Sequence, residues 1–240
     1  MCYNIFNRVL NRSVIKLRKY FWYDYSMFDD SMVCWLFKPL RELHRPLPLI
    51  VWLHGSGEVG VNKRAFLNEG LPYVLNNWTL KPFGAYILCP QLMVEDDIWA
   101  RDENVDKLMA LIDKVVSENN IDRSRIILSG HSLGAMGSMY VAERVQNYFS
   151  CLCLLSGYDI GVNLNNIRIP TLGVVGTVEN DEDSESVDFM WEGFIERFGK
   201  ESLWEIPCSH ADIPKMAFLD DADLDGRSDI IGWMLKYRKY

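Results

Sequence analysis

No run of about 18 apolar residues occurs in this 240-residue sequence, so it holds no segment able to cross a bilayer as a helix. Cys-x-x-Cys pairs and histidine-rich spacings are also missing, which removes the usual signatures of structural zinc and dithiol redox chemistry. Positive charge is in short supply: 25 Lys and Arg against 33 Asp and Glu leave a net charge of −8. That balance argues against a general nucleic-acid binder, which needs a basic face to neutralise phosphates. There is no internal repeat and no low-complexity linker, and 1–240 reads as one domain. Histidine is scarce as well, at four residues, and that scarcity limits the choice of a catalytic base.

Cysteine is present but badly placed for bridging. Of Cys2, Cys34, Cys89, Cys151, Cys153 and Cys208, the middle four lie in apolar, strand-like runs, where free cysteine serves as a small hydrophobe. A reducing cytoplasmic setting is expected, with no metal and no cofactor. The charge is unevenly spread. Residues 1–23 carry five cations (Arg8, Arg12, Lys16, Arg18, Lys19) and no acid. Neither an apolar core of about 7–15 residues nor a small-residue cleavage site follows. The basic segment 1–25 therefore reads as an amphipathic stretch or strand against the domain, without stable membrane insertion.

Short apolar runs alternate with helical patterns along the rest of the chain. Strands are expected at 32–37, 48–54, 84–90, 125–130, 149–157, 170–176 and 202–207. Several lack polar alternation, as strands covered on both faces do. Val105, Leu108, Met109, Ile112, Val115 and Val116 follow helical spacing, and so do Val187, Met190, Trp191, Phe194 and Phe198. Such alternation predicts an α/β fold, a mostly parallel sheet with helices on both faces. Ligands then sit beyond the carboxyl ends of the strands, which is where the chemistry should be sought.

Two glycine turns follow two of these strands. "GHSLG", residues 130–134, matches G-x-S-x-G between a strand and an apolar helical stretch. A serine projects alone above a sheet there only if the chain turns sharply between small neighbours, so Ser132 is the candidate nucleophile. "HGSGEVG", residues 54–60, is a tight glycine turn after a strand that can aim backbone N–H groups at a developing oxyanion, with Leu133 N–H as the second donor. Serine needs a base. His131 flanks the serine, His54 belongs to the glycine loop, and His44 lies in a Pro-rich connection. His210, in "PCSHADIP" just past the last strand, remains. The third member should lie between them in sequence, after strand 170–176. "GTVENDEDSE" (176–185) follows that strand with five carboxylates and no basic partner. Glu179, nearest the strand end, is the first choice, with Asp181 and Asp183 as alternatives. The other acids are expected to be solvated or to cap a helix beginning near Ser184.

These residues resemble the α/β-hydrolase superfamily, and within it the small bacterial carboxylesterase, phospholipase/carboxylesterase, polyhydroxybutyrate depolymerase-like and "predicted peptidase" group. "LHGSGEVG", "ENNIDRSRIILSGHSLGAMGS", "GVVGTVEN" and "CSHADIP" carry the likeness, which runs from about residue 30 onward. It implies Ser132 as nucleophile, His210 as base, and the third position after Gly176 as the acid. Relatives usually hold Asp there, where this chain has Glu179. It also implies oxyanion donors on Ser56 or Gly57 and on Leu133. Only a short stretch separates the expected strand 149–157 from the acid strand 170–176, so no sizeable cap is expected and accessible esters are the expected substrates. Trp99, Leu71, Pro72 and Met93 are candidates for an acyl pocket or for core. A peptidase or acyltransferase on the same residues, and a non-catalytic binding module, are the competing readings.

One further motif, "DADLDGRSD" (221–229), imitates the start of a calcium loop. Its twelfth position should be a bidentate Glu and is Gly232. An acidic turn is therefore expected instead, with Ser228 or Asp225 capping the last helix.

Overall fold

Eight strands form one sheet in the computed structural model, which describes residues 21–29, 31–39, 44–62, 66–68, 70–77, 84–157, 161–178, 184–218 and 229–239. The strands are β1 Phe21–Asp29, β2 Met32–Pro39, β3 Leu47–Leu53, β4 Tyr86–Leu92, β5 Ile121–His131, β6 Cys151–Leu155, β7 Thr171–Gly176 and β8 Leu203–Ile206. Their order across the sheet is β1-β2-β4-β3-β5-β6-β7-β8. β1–β2 and β2–β4 pair antiparallel, and every pair from β4 to β8 is parallel. The β1–β2 turn forms because Asp29 Oδ1 accepts from the backbone N–H groups of Ser31 and Met32, at 2.8 and 2.9 Å.

The helices are α1 Gly70–Asn77, α2 Asp102–Glu118, α3 Leu133–Val145, α4 Ser184–Phe198, α5 Ile213–Met216 and α6 Ile230–Leu235. β3 is buried along its whole length, and its alternate residues serve two different cores. Leu49, Val51 and Leu53 pack with Val105, Leu108 and Ile112 of α2, Met139 and Ala142 of α3, and Trp191 and Phe194 of α4. Ile50 and Trp52 pack with Leu71 and Val74 of α1, Ile213 and Met216 of α5, and Ile230 and Met234 of α6. The sheet is thus covered on both faces, which is why its central strands read as unbroken apolar runs.

All seven expected strands are present, with shifted ends. The strand expected at 84–90 begins at Tyr86 and runs on to Leu92, because Gln91 and Leu92 pair with Val33 and Met32 of β2, and the buried amide of Gln91 finds carbonyl acceptors in a neighbouring loop. The strand expected at 149–157 shrinks to Cys151–Leu155, since Ser156 takes φ 44° and leaves the extended conformation. β1 continues past the basic segment as an antiparallel edge strand, and residues 1–20 lie outside the described residues. Cys34, Cys89, Cys151, Cys153 and Cys208 are buried and form no disulfide, and burial raises the thiol pKa of Cys34, Cys89, Cys151 and Cys153. Residues 221–228 also fall outside the described residues. The cap of α6 is a correction to the sequence reading: Asp229, not Ser228 or Asp225, accepts from Gly232 N at 2.7 Å. No helix among the described residues is long and apolar enough to cross a membrane.

Candidate active site

At the carboxyl end of β5 the chain turns from strand to helix within one residue. Ser132 adopts φ 53°, ψ −119°, a conformation that costs a non-glycine residue about 1–3 kcal/mol. Local bonds hold it there. Its N–H donates to Leu155 O at 2.9 Å, and its carbonyl accepts from Ala135 N (2.9 Å) and Met136 N (3.0 Å). The flanking glycines are required by contact. A Cβ on Gly130 would collide with the Gly134 carbonyl, and one on Gly134 would collide with the Leu53 carbonyl at the end of β3. The start of α3 therefore presses directly against the chain leaving β3. Among the described residues, three non-glycines have positive φ: Asp96, Ser132 and Ser156, which follow β4, β5 and β6 respectively. Backbone strain collects along this one edge of the sheet.

The loop after β3 is held by the end of β4. His54 is 1% exposed, and its Nδ1 lies 2.7 Å from Gly55 O. Its Nε2 lies 3.1 Å from the N–H of Leu92. A carbonyl only accepts and a backbone N–H only donates, so Nδ1 carries the proton and Nε2 accepts. Gln91 Nε2 donates to Glu58 O (3.0 Å) and Val61 O (2.8 Å), Gly60 N donates to Leu92 O (2.9 Å), and Trp99 Nε1 donates to His54 O (3.1 Å). Between these ties runs the 3-10 turn Ser56–Glu58, with Ser56 and Gly57 exposed and Glu58 half-buried. Among the described residues, no acceptor takes the N–H of Ser56, Gly57 or Leu133. They are the three expected oxyanion donors, and the contact between Gly134 and Leu53 brings their two loops together.

His210 lies exposed in a turn between β8 and α5, where Ser209 Oγ donates to Asp212 Oδ2 at 2.8 Å. The turn meets β5 through His131, whose Nε2 is 3.0 Å from His210 O and whose ring centroid is 4.8 Å from that of His210. It meets the loop after β7 through backbone bonds from Thr177 N to Ile206 O (2.9 Å) and Val178 N to Cys208 O (3.1 Å). A Cβ on Gly176 would strike the Cys208 carbonyl, so the two loops are in contact. Glu179 follows Val178 directly. Glu179, Asp181 and Asp183 lie outside the described residues.

The remaining candidates sort themselves by burial. Trp99 is 1% and Leu71 0% exposed, both within the cores, and Pro72 is buried too; Met93 is half-buried. The sequence reading missed Gln91 as a holder of the glycine loop. A polar residue inside an otherwise apolar strand was the available signal.

Burial depresses the pKa of His54 to about 4, offset slightly by its bond to Gly55. Burial and the charge of His210 depress that of His131 to about 3. In the unfolded chain both take up a proton near pH 6.5, whereas in the folded protein they remain neutral well below it. The unfolded state therefore binds the extra protons, and stability that is complete above pH 6.5 drains away as the pH falls towards 4 and 3. The slope approaches about 1.4 kcal/mol per pH unit for each histidine. Urea midpoints should hold nearly level from pH 7.5 to about 6.5 and fall below it towards pH 5, and less so in His131→Gln. A midpoint constant over that range would contradict the burial of these rings.

No protein-family model matches the sequence, and no curated protein matches it. Similar solved structures supply the comparison. A thermostable esterase superposes with a TM-score of 0.68 at 17% identity, over 91% of this chain and 63% of its own. An acylaminoacyl peptidase from Pyrococcus horikoshii gives 0.61 at 16% identity, over 94% of this chain and 43% of its own. A Klebsiella pneumoniae protein assigned as a dienelactone hydrolase gives 0.61 at 14% identity, over 90% of this chain and 99% of its own. The chain thus spans less than two thirds of the first two. With its mostly parallel sheet in this strand order, it has the α/β-hydrolase fold.

Proposed function

We propose that the protein is a serine hydrolase acting on accessible carboxylic esters. The observation that carries this reading is the strained conformation of Ser132 at the strand-to-helix turn, the backbone geometry that a G-x-S-x-G turn imposes on a nucleophilic serine. In this reading Ser132 Oγ attacks the ester carbonyl while His210 takes its proton. The N–H groups of Leu133 and of Ser56 or Gly57 receive the oxyanion, and His210 then returns the proton to the departing alcohol. Water activated by the same histidine releases the acid, and Glu179 holds the imidazole and stabilises its cation. The segment 156–170 between β6 and β7 contains, among its described residues, only the 3-10 turn Leu164–Asn166. With no helical cap rising there, small soluble esters should reach the serine more readily than long acyl chains.

Rates on p-nitrophenyl acetate, butyrate and laurate, alongside a chromogenic peptide, test the reading. Acetate and butyrate are expected to be hydrolysed faster than laurate, with the peptide left intact. Peptide cleavage exceeding ester cleavage would move the assignment to a peptidase on the same residues, the activity carried by one structural neighbour.

A further inference from the structure

We infer that His131, the residue immediately before the nucleophile, is a positioning residue that fixes the His210 loop to the nucleophile's own strand. The inference rests on the serine-hydrolase reading and assigns to that site a member outside the Ser-His-acid set. His131 ends β5 and is 8% exposed, with its side chain directed at two other loops. On one edge, Nε2 stands 3.0 Å from the carbonyl oxygen of His210. That oxygen only accepts, so Nε2 carries the ring proton and Nδ1 does not. On the other edge, Nδ1 lies 3.3 Å from where a Cβ on Gly55 would stand, and Glu58 Oε2 lies 3.3 Å from the same point. One imidazole therefore touches the base loop and the glycine loop, while its backbone leads straight into Ser132.

The geometric consequence concerns distance control. Ser132 is held rigidly by the elbow, whereas His210 sits exposed on a turn at the rim. Through the sheet, the path from His210 to Ser132 runs by way of β8, β7 and β6 in succession. The bond from His131 sets the spacing between them across one residue and one hydrogen bond. Misplacement of a reacting group by about 1 Å can cost on the order of 10²-fold in rate. Because burial and the charge of His210 keep His131 neutral, its donor is present across the working pH range, and it adds no charge opposing protonation of His210.

Three substitutions isolate the donor. His131→Gln places an amide nitrogen near the position of Nε2, His131→Asn ends its amide short of it, and His131→Leu keeps bulk without any donor. The measurements are kcat and KM on p-nitrophenyl butyrate and the second-order rate at which a fluorophosphonate labels Ser132, each referred to the folded fraction seen by near-UV circular dichroism. Leu and Asn should lower kcat and the labelling rate together by about 10- to 100-fold with KM little changed, and Gln should restore most of the loss. If His131→Leu labels and turns over like the unmodified protein, or if Gln is as impaired as Leu, the inference is overturned while the serine-hydrolase reading stands. If the unmodified protein is not labelled at Ser132 at all, that reading fails and takes the inference with it.

Discussion

Replacing Ser132 by alanine is expected to lower kcat on p-nitrophenyl butyrate by at least ~10³-fold while leaving the far-UV spectrum unchanged, since nucleophile, base and acid act as a unit. A fluorophosphonate should label Ser132 and no other serine. Ser129 is fully buried on β5, and Ser56 stands exposed on its 3-10 turn, so these two are the informative controls. Covalent label on either would overturn the assignment. The same position offers a stability readout. Alanine retains the Cβ that makes φ 53° costly, whereas glycine removes it. Ser132→Gly should therefore resist urea better than Ser132→Ala by about 1 kcal/mol. Equal midpoints for the two variants would mean that the turn stores no strain.

The second large effect is expected at Glu179. Exchange for glutamine keeps its shape but removes the charge that, in the proposed mechanism, stabilises an imidazolium on His210. The loss in kcat should reach up to ~10⁴-fold, the scale of the corresponding change in serine proteases. Asp181→Asn, Glu182→Gln, Asp183→Asn and Glu185→Gln should each shift activity only a few-fold. The neighbouring backbone supplies the reason. Thr177 and Val178 are tied to Ile206 and Cys208, two residues short of His210, and Glu179 is the first carboxylate beyond that tie. Those further along lead into α4, which starts at Ser184. Should Asp181→Asn or Asp183→Asn collapse instead, the triad would stand with a different acid. If all five variants remain active, the run is a solvated loop with no part in the chemistry.

Much of this was legible in residue order. Strand–turn–helix around "GHSLG" could be read because the glycines on either side of Ser132 answer a local steric demand that any such turn makes. The parallel sheet followed from apolar runs alternating with helical spacing, and elimination among four histidines leaves His210 as the base of the proposed mechanism. Each of these signals is local, with a period or a spacing that survives in one dimension.

Which surfaces meet is a property of the folded chain. No spacing in the sequence places Gln91 against the carbonyls of Glu58 and Val61, 33 and 30 residues away, or fixes the His54 tautomer through Leu92 N–H. The pairing of His131 with the carbonyl of His210 spans 79 residues and exists only because β5 and the loop after β8 end at the same edge of the sheet. Residue order sets the kinds of side chain available and the turns that present them. Hydrogen bonds between loops far apart in the chain depend on strand order and register, and those are set by how two apolar faces bury against their helices rather than by any motif.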